Sequence, residues 1–363
     1  MILDRLNGRF KSVLINNCQL KQFYHECQKN KCLGIDTEFH WVGTYKPIPC
    51  LIQMSNDKRT IIIDCINKKV DLNLVKKLLL DKKILKIFHS GRQDLEIFSN
   101  LFEVIPKNIF DTQIGVLPLG FKLSSSYEKL CRDLLAIKIF KENQKIDWRK
   151  RPLSKAQLIY ASEDVKYLIY LYKKIIKELI KFNRKDWIKQ MHLKLLNQEQ
   201  YFNKIKEAWK KIKVNPNYLL EKKILKKISE FREQQAILKN IPAKKIINDS
   251  QIIKIIRVQN ENQITKSIKS INKKNYSALH GIISKEIYTT KKNIKLKKMN
   301  ENENKKFLMA KKILKEKSEK YKVDSSLIAT NKELKELVLY KKKKLLIGWK
   351  YDVFGKFYEK INL

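Results

Sequence analysis

The sequence predicts an α/β front half followed by an all-helical, strongly basic back half. Short, partly β-branched runs separated by turn residues all lie before residue 112. Beyond about residue 200 the chain carries Lys, Leu and Ile at helical spacing, with few breakers such as Pro216, Pro242 and Gly281. Charge divides the same way: of a net +42 over 363 residues, +13 falls in residues 1–180 and +29 in 181–363.

The elements follow in order. LGIDTEF (33–39), CLIQMS (50–55) and TIIIDC (60–65) read as three consecutive strands. LNLVKKLLL is an amphipathic helix, ILKIF (84–88) a strand, SGRQDLEIFSNLF a helix and NIFD (108–111) a short strand. The longest helix is expected from about Ser154 to Ile180, with Ser154 as N-cap after Pro152. Two helical modules of similar length fit residues 200–363, and the Lys-rich KKNIKLKK (291–298) marks a boundary between them.

Composition excludes several classes. No run of 18 apolar residues exists, so no membrane-spanning helix is expected. MILDRLNGRFKSVLINN lacks the apolar stretch of a secretion signal, which makes a cytoplasmic protein the expectation. The six cysteines, Cys18, Cys27, Cys32, Cys50, Cys65 and Cys131, form no C-x-x-C pair, so reduced, buried thiols are expected rather than zinc ligands. The positive balance points to a polyanionic partner, nucleic acid first. Only ten of the 79 basic residues are Arg, and Ile and Asn abound, so part of the charge follows from an AT-rich coding composition.

The candidate chemistry lies in acids. Asp36 and Glu38 are two apart on an apolar strand and share one face, with no Lys or Arg among them. Such a pair either holds a divalent cation or splits into a turn cap and a solvent-facing acid. Asp94 opens the helix after ILKIF, where an acid also serves the helix dipole. Tyr160 and Asp164 are one helical turn apart, and Glu163 points about 100° away as a surface acid.

Taken in order, D-x-E on a strand, an Asp opening a helix and Y-x-x-x-D on a late helix resemble the DEDD 3′–5′ exonuclease superfamily, in its tyrosine branch. DTEFHWVGTYKPIPCLIQMS resembles the first motif, KIFHSGRQDLEIF the second and DWRKRPLSKAQLIYASEDVKYLIYLY the third. FDTQIGVLPLGF resembles the connecting segment of the ribonuclease D family. AWKKIK (208–213) and FREQQAILKNIPAKKIINDSQIIKII (231–256) resemble its helicase-and-RNase-D C-terminal (HRDC) domain.

The resemblance implies a ribonuclease H-like mixed-sheet exonuclease domain in residues 1–182. An HRDC domain would follow in 201–283, and in 284–363 a helical C-terminal domain, either a second, diverged HRDC or a helical module without its motifs. It implies a metal-dependent 3′–5′ exoribonuclease trimming tRNA precursors and other small structured RNAs from single-stranded 3′ ends, with nucleoside 5′-monophosphates as products. Two divalent ions, Mg²⁺ or Mn²⁺, would sit on Asp36, Glu38, Asp94 and Asp164, with Asp36 bridging them. Tyr160 would orient the attacking water, since a phenol titrating near ~10 is a poor base. No small-molecule cofactor and no membrane partner are implied, and a monomer is expected. The alternatives are an exonuclease on DNA and a non-catalytic RNA-binding protein on the same scaffold.

The family position two after Phe39 is often basic; here it is Trp41, which suits either stacking on a base or packing. His89 reads as a structural histidine at a strand end, and His25, His40, His192 and His280 form no ligand spacing. Arg149, Lys150 and Arg151 suit phosphate contacts or a solvated turn. Lys341 to Lys344 precede Trp349, Tyr351, Phe354, Phe357 and Tyr358, aromatics that read as the core of a terminal module ahead of an RNA-stacking surface.

Overall fold

The structure is a computed structural model that describes residues 12–67, 70–139, 147–197, 201, 204–257, 268, 275–290, 294, 295, 297, 299–341 and 347–360. The chain first forms β1 (Ser12–Leu14) and α1 (Asn17–Asn30), to which the sequence reading had assigned no element. A capping box starts α1: Asn16 Oδ1 accepts from Gln19 N, and Gln19 Oε1 accepts from Asn16 N. The anticipated strands follow as β2 (Cys32–His40), β3 (Ile48–Ser55) and β4 (Thr60–Asp64). Then come α2 (Leu72–Leu80), β5 (Leu85–Phe88), α3 (Arg92–Phe102), β6 (Ile109–Asp111), α4 (Thr112–Gly115) and α5 (Tyr127–Leu135).

The strands form one mixed sheet in the order β1-β4-β3-β2-β5-β6. The β2–β3–β4 meander is antiparallel, while β1–β4, β2–β5 and β5–β6 pair in parallel. Leu33, Ile35, Ile52, Met54 and Ile61 to Ile63 are essentially inaccessible, as central strands covered on both faces must be.

The expected single helix from Ser154 is two helices, α6 (Lys155–Lys166) and α7 (Leu168–Lys181). Ser154 is the N-cap, in a capping box with Gln157. The interruption at Tyr167 has a tertiary cause: its backbone N–H donates to the Tyr127 hydroxyl, 3.0 Å away, in place of continuing the helical ladder.

Next comes α8 (Lys185–Leu195). After it lie α9 (Lys204–Glu207), α10 (Leu219–Lys239), α11 (Ala243–Ile246), α12 (Asp249–Ile256) and α13 (Tyr276–Thr289). These helices bury Ile224, Leu225, Ile228, Ile252, Ile255, Leu279 and Ile283 in one core. The last segment forms α14 (Glu301–Tyr321), α15 (Ser325–Ile328), α16 (Asn331–Tyr340) and α17 (Lys356–Glu359). Trp349, Phe354 and Tyr358 lie in its core together with Trp187 of α8, whose ring stacks on Trp349 at 4.3 Å. These three are core residues, as the packing reading expects; Tyr351 is half-buried and Phe357 is exposed, against it.

Two compact units result. One comprises Met1–His40, Ile48–Asn197 and Met299–Leu363; the other comprises Trp41–Pro47 and Gln198–Lys298. Lys342 to Lys344 and most of the 291–298 run lie outside the described residues. The six cysteines are free thiols; Cys27, Cys50 and Cys131 are buried as expected, Cys32 and Cys65 are half-buried, and Cys18 is exposed because it sits on the outer side of α1. Among the described residues no helix is long and apolar enough to cross a membrane.

Candidate active site

On β2, Gly34, Asp36 and Glu38 alternate onto one face, and the irregularity between Glu38 and Phe39 falls after the pair. Gly34 explains what approaches that face. A Cβ there would stand 3.0 Å from the Val165 carbonyl oxygen and 3.0 Å from Leu168 Cβ. The α6–α7 junction therefore rests directly on β2, and Asp164, next to Val165, comes beside Asp36.

Asp94 arrives from α3 through a tight entry. Ser90 is left-handed (φ 58), and a Cβ at Gly91 would meet Phe88 Cβ at 2.6 Å. The buried Asp111 carboxylate accepts the Ser90 and Gly91 amides at 3.1 and 2.8 Å, fixing that turn. Asp94 then accepts the Thr37 hydroxyl at 2.6 Å and shares a hydrogen bond with Asp36.

Asp36, Glu38, Tyr160 and Asp164 line one pocket of about 290 Å³, with Asp94 behind Asp36. No lysine or arginine is among the lining residues. The electrostatic consequence is strong. Desolvation, then the charges of Asp94, Asp164 and Glu38, hold the Asp36 carboxyl well above its usual range. Desolvation raises Asp94 to about 6, against the opposing Thr37 hydrogen bond.

The donor set, all oxygen and anionic, suits Mg²⁺ or Mn²⁺. Among the described residues no three His, Cys, Asp or Glu side chains are gathered tightly enough to grip one ion as they stand. The mutual repulsion that raises Asp36 is what a cation relieves, so the residues fit divalent metal by chemistry.

Tyr160 is half-buried, its ring 5.9 Å from that of the buried Trp148. Glu163, one residue before Asp164, pairs with Lys166 at 2.9 Å. His89 also lines the pocket. Thr112 Oγ1 donates to Phe88 O at 3.0 Å, so His89 Nδ1–H is the donor in its 2.9 Å contact with Thr112 Oγ1.

The basic turn divides. Arg149 pairs with Asp147 at 2.9 Å on the exposed side, whereas Arg151 grips Asp64 at 2.6 and 2.7 Å and is structural. Trp41 lies in Trp41–Pro47, its Nε1–H donating to Tyr45 O at 3.2 Å and its side chain 43% exposed.

Three contributors escaped the sequence reading: Thr37, Asp111 and Tyr127. Thr37 sits inside D-x-E, but only the fold shows that it reaches Asp94. Asp111 and Tyr127 act through backbone amides distant in sequence, for which no local pattern exists.

A mixed sheet with two acids on its central strand and further acids delivered by two helices defines a 3′–5′ exonuclease of the carboxylate class. Residues 13–180 match the family described as 3′–5′ exonuclease. Ribonuclease D of Bartonella henselae is 33% identical over 88% of this chain and 82% of its own length. Ribonuclease D of Zymomonas mobilis is 30% identical over 89% and 87%. The crystal structure of Escherichia coli RNase D, an exoribonuclease involved in structured RNA processing, superimposes with a TM-score of 0.79. It is 20% identical, covers 97% of this chain and 98% of its own, and shows the shared fold. The chain belongs to the ribonuclease D family of 3′–5′ exoribonucleases.

Proposed function

We propose that the protein trims the 3′ ends of tRNA precursors and other small structured RNAs, one nucleoside 5′-monophosphate at a time. The observation that carries this is the convergence of Asp36, Glu38, Asp94 and Asp164 around a pocket with no lysine or arginine among its described lining residues. Asp36, Glu38, Asp94 and Asp164 are the residues that would hold two divalent ions. Such ions supply Lewis-acid stabilisation of the phosphate and a water acidic enough to attack.

The chain's own groups do the positioning. Thr37 holds Asp94 against Asp36, and Asp111 holds the turn that presents Asp94. The Tyr160 hydroxyl orients the attacking water, with Trp148 steadying its ring. Attack on the last phosphodiester leaves the phosphate on the departing nucleotide, so a free 3′ end is required.

Gln198–Lys298 act as an HRDC-type RNA-binding unit, and the concentration of charge in 181–363 supports this reading. The test offers 3′-labelled RNA and DNA of equal sequence, and a circular RNA, with Mg²⁺, with Mn²⁺ and with chelator. Metal-dependent release of mononucleotides from linear RNA alone is expected. Internal cuts in the circle, or activity that survives chelation, exclude the reading.

A further inference from the structure

We propose that a second cavity, adjoining the active site, binds a backbone phosphate of the RNA upstream of its terminal nucleotide; this rests on the function proposed above. The cavity measures about 520 Å³, and Gly120, Lys122, Ser124, Ser125 and Lys129 are among its lining. The next residues of the same segment, Ser126, Tyr127 and Glu128, line the active-site pocket. The two linings are thus continuous along the chain at the start of α5. An RNA strand with its 3′ end in one brings its preceding phosphates to the other.

The chemistry of the lining selects an anion. Ser125 is 3% exposed, and its hydroxyl is buried without a hydrogen-bond partner, an unmet donor that a phosphate oxygen satisfies. Lys122 is exposed at the rim, its ammonium opposed by Asp324. Lys129 is ion-paired with Asp133 one turn along its own helix, and Glu128 accepts from Ser126 Oγ at 3.1 Å; Lys122 is the anchoring charge, for which a phosphate competes with Asp324. The N-terminus of α5, a nine-residue helix, adds its positive dipole end.

The wall is rigid by construction. Gly120 is left-handed (φ 91), and a Cβ there would fall 2.5 Å from the Lys322 carbonyl oxygen. The turn after α14 thus braces the cavity from behind.

The experiment uses full-length protein with Lys122→Ala and Ser125→Ala, and 5′-fluorescent oligoribonucleotides from a dinucleotide upward. Each is made with ordinary linkages or with one uncharged methylphosphonate at successive positions. Lys122→Ala should raise KM about tenfold, with kcat unchanged, once the oligomer reaches the cavity, and leave the dinucleotide unaffected. One methylphosphonate position should erase the difference between wild type and variant. Ser125→Ala should raise KM beyond the same length and also raise the melting temperature of the free protein, because the orphan hydroxyl is gone.

Equal KM at every length, a loss shared by the dinucleotide, or additive effects at every linkage would overturn the proposal. So would relief of inhibition by added nucleoside 5′-monophosphate without a change in KM, which assigns the cavity to product. A wild type that releases no nucleotide refutes the proposed function itself. A trimming wild type that Lys122→Ala matches throughout refutes only the cavity.

Discussion

The two units treat buried acids in opposite ways. In the unit built on Gln198–Lys298, Asp249 meets Arg232 at 2.6 Å, Glu221 meets Arg257 at 2.6 Å, and Glu233 accepts the Tyr45 hydroxyl at 2.6 Å. Each acid there has a donor within its own unit, so its charge serves the fold. Around β2 of the other unit, desolvation and then the charges of Asp94, Asp164 and Glu38 hold the Asp36 carboxyl well above its usual range. Asp64, outside that pocket, is again neutralised, by Arg151. Acids gathered around one buried carboxyl are the mark of a site that takes counter-charge from outside.

The sharpest way to break this contrast is Asp36→Asn. It removes the central charge, so nucleotide release should fall ~10³-fold or more. Thermal stability should stay level or rise, because repulsion and desolvation are relieved. A variant with wild-type turnover would show that the acids are not the chemistry.

Arg232→Ala makes the opposite test. It removes a side chain only 3% exposed that donates to both Ile247 O and Asp249, so unfolding free energy should drop by about 2 kcal/mol. Denaturant melts of the full chain measure this, and an unchanged midpoint would mean that the pair is incidental.

Tyr160→Phe sharpens the comparison inside the site. The hydroxyl is lost and the ring contact with Trp148 kept, so kcat should fall ~10²-fold with KM nearly constant. A shift in KM alone would make Tyr160 a substrate-packing residue.

The smallest effect concerns a buried base. His192 Nε2 accepts from the Asp111 amide at 2.7 Å, and its Nδ1–H donates to Ile188 O at 3.2 Å, a neutral tautomer whose pKa burial lowers to about 4. The folded value lies below the ordinary one near ~6.5, so the unfolded chain binds the proton first. This stability is complete above pH ~6.5 and drains as pH falls toward 4, by about 1 kcal/mol at pH ~5.5. His192→Gln keeps an acceptor without the titration. The stability gap between wild type and this variant should narrow by that amount from pH ~7.5 to pH ~5.5, and a constant gap would contradict the assignment.

By itself the sequence determined the strands from β2 to β6, the N-cap at Ser154 and the candidate acids, because alternation, capping and helical spacing are local in the chain. It also separated Asp164 from Glu163 by helical angle, and Glu163 pairs with Lys166, although that pair is half-buried rather than at the surface. It assigned nothing to residues 12–30, where β1 is three residues long and gains its pairing only from β4. It ran α6 into α7, because a break made by the Tyr127 hydroxyl leaves no mark near Tyr167. Nor did it show that residues 299–363 return to the first unit and share a core with Trp187. Tertiary structure decided how closely the acids stand. Gly34 admits the α6–α7 junction onto β2, and Asp111 fixes the turn that presents Asp94, so repulsion among acids up to about 130 residues apart arises only once the chain has folded.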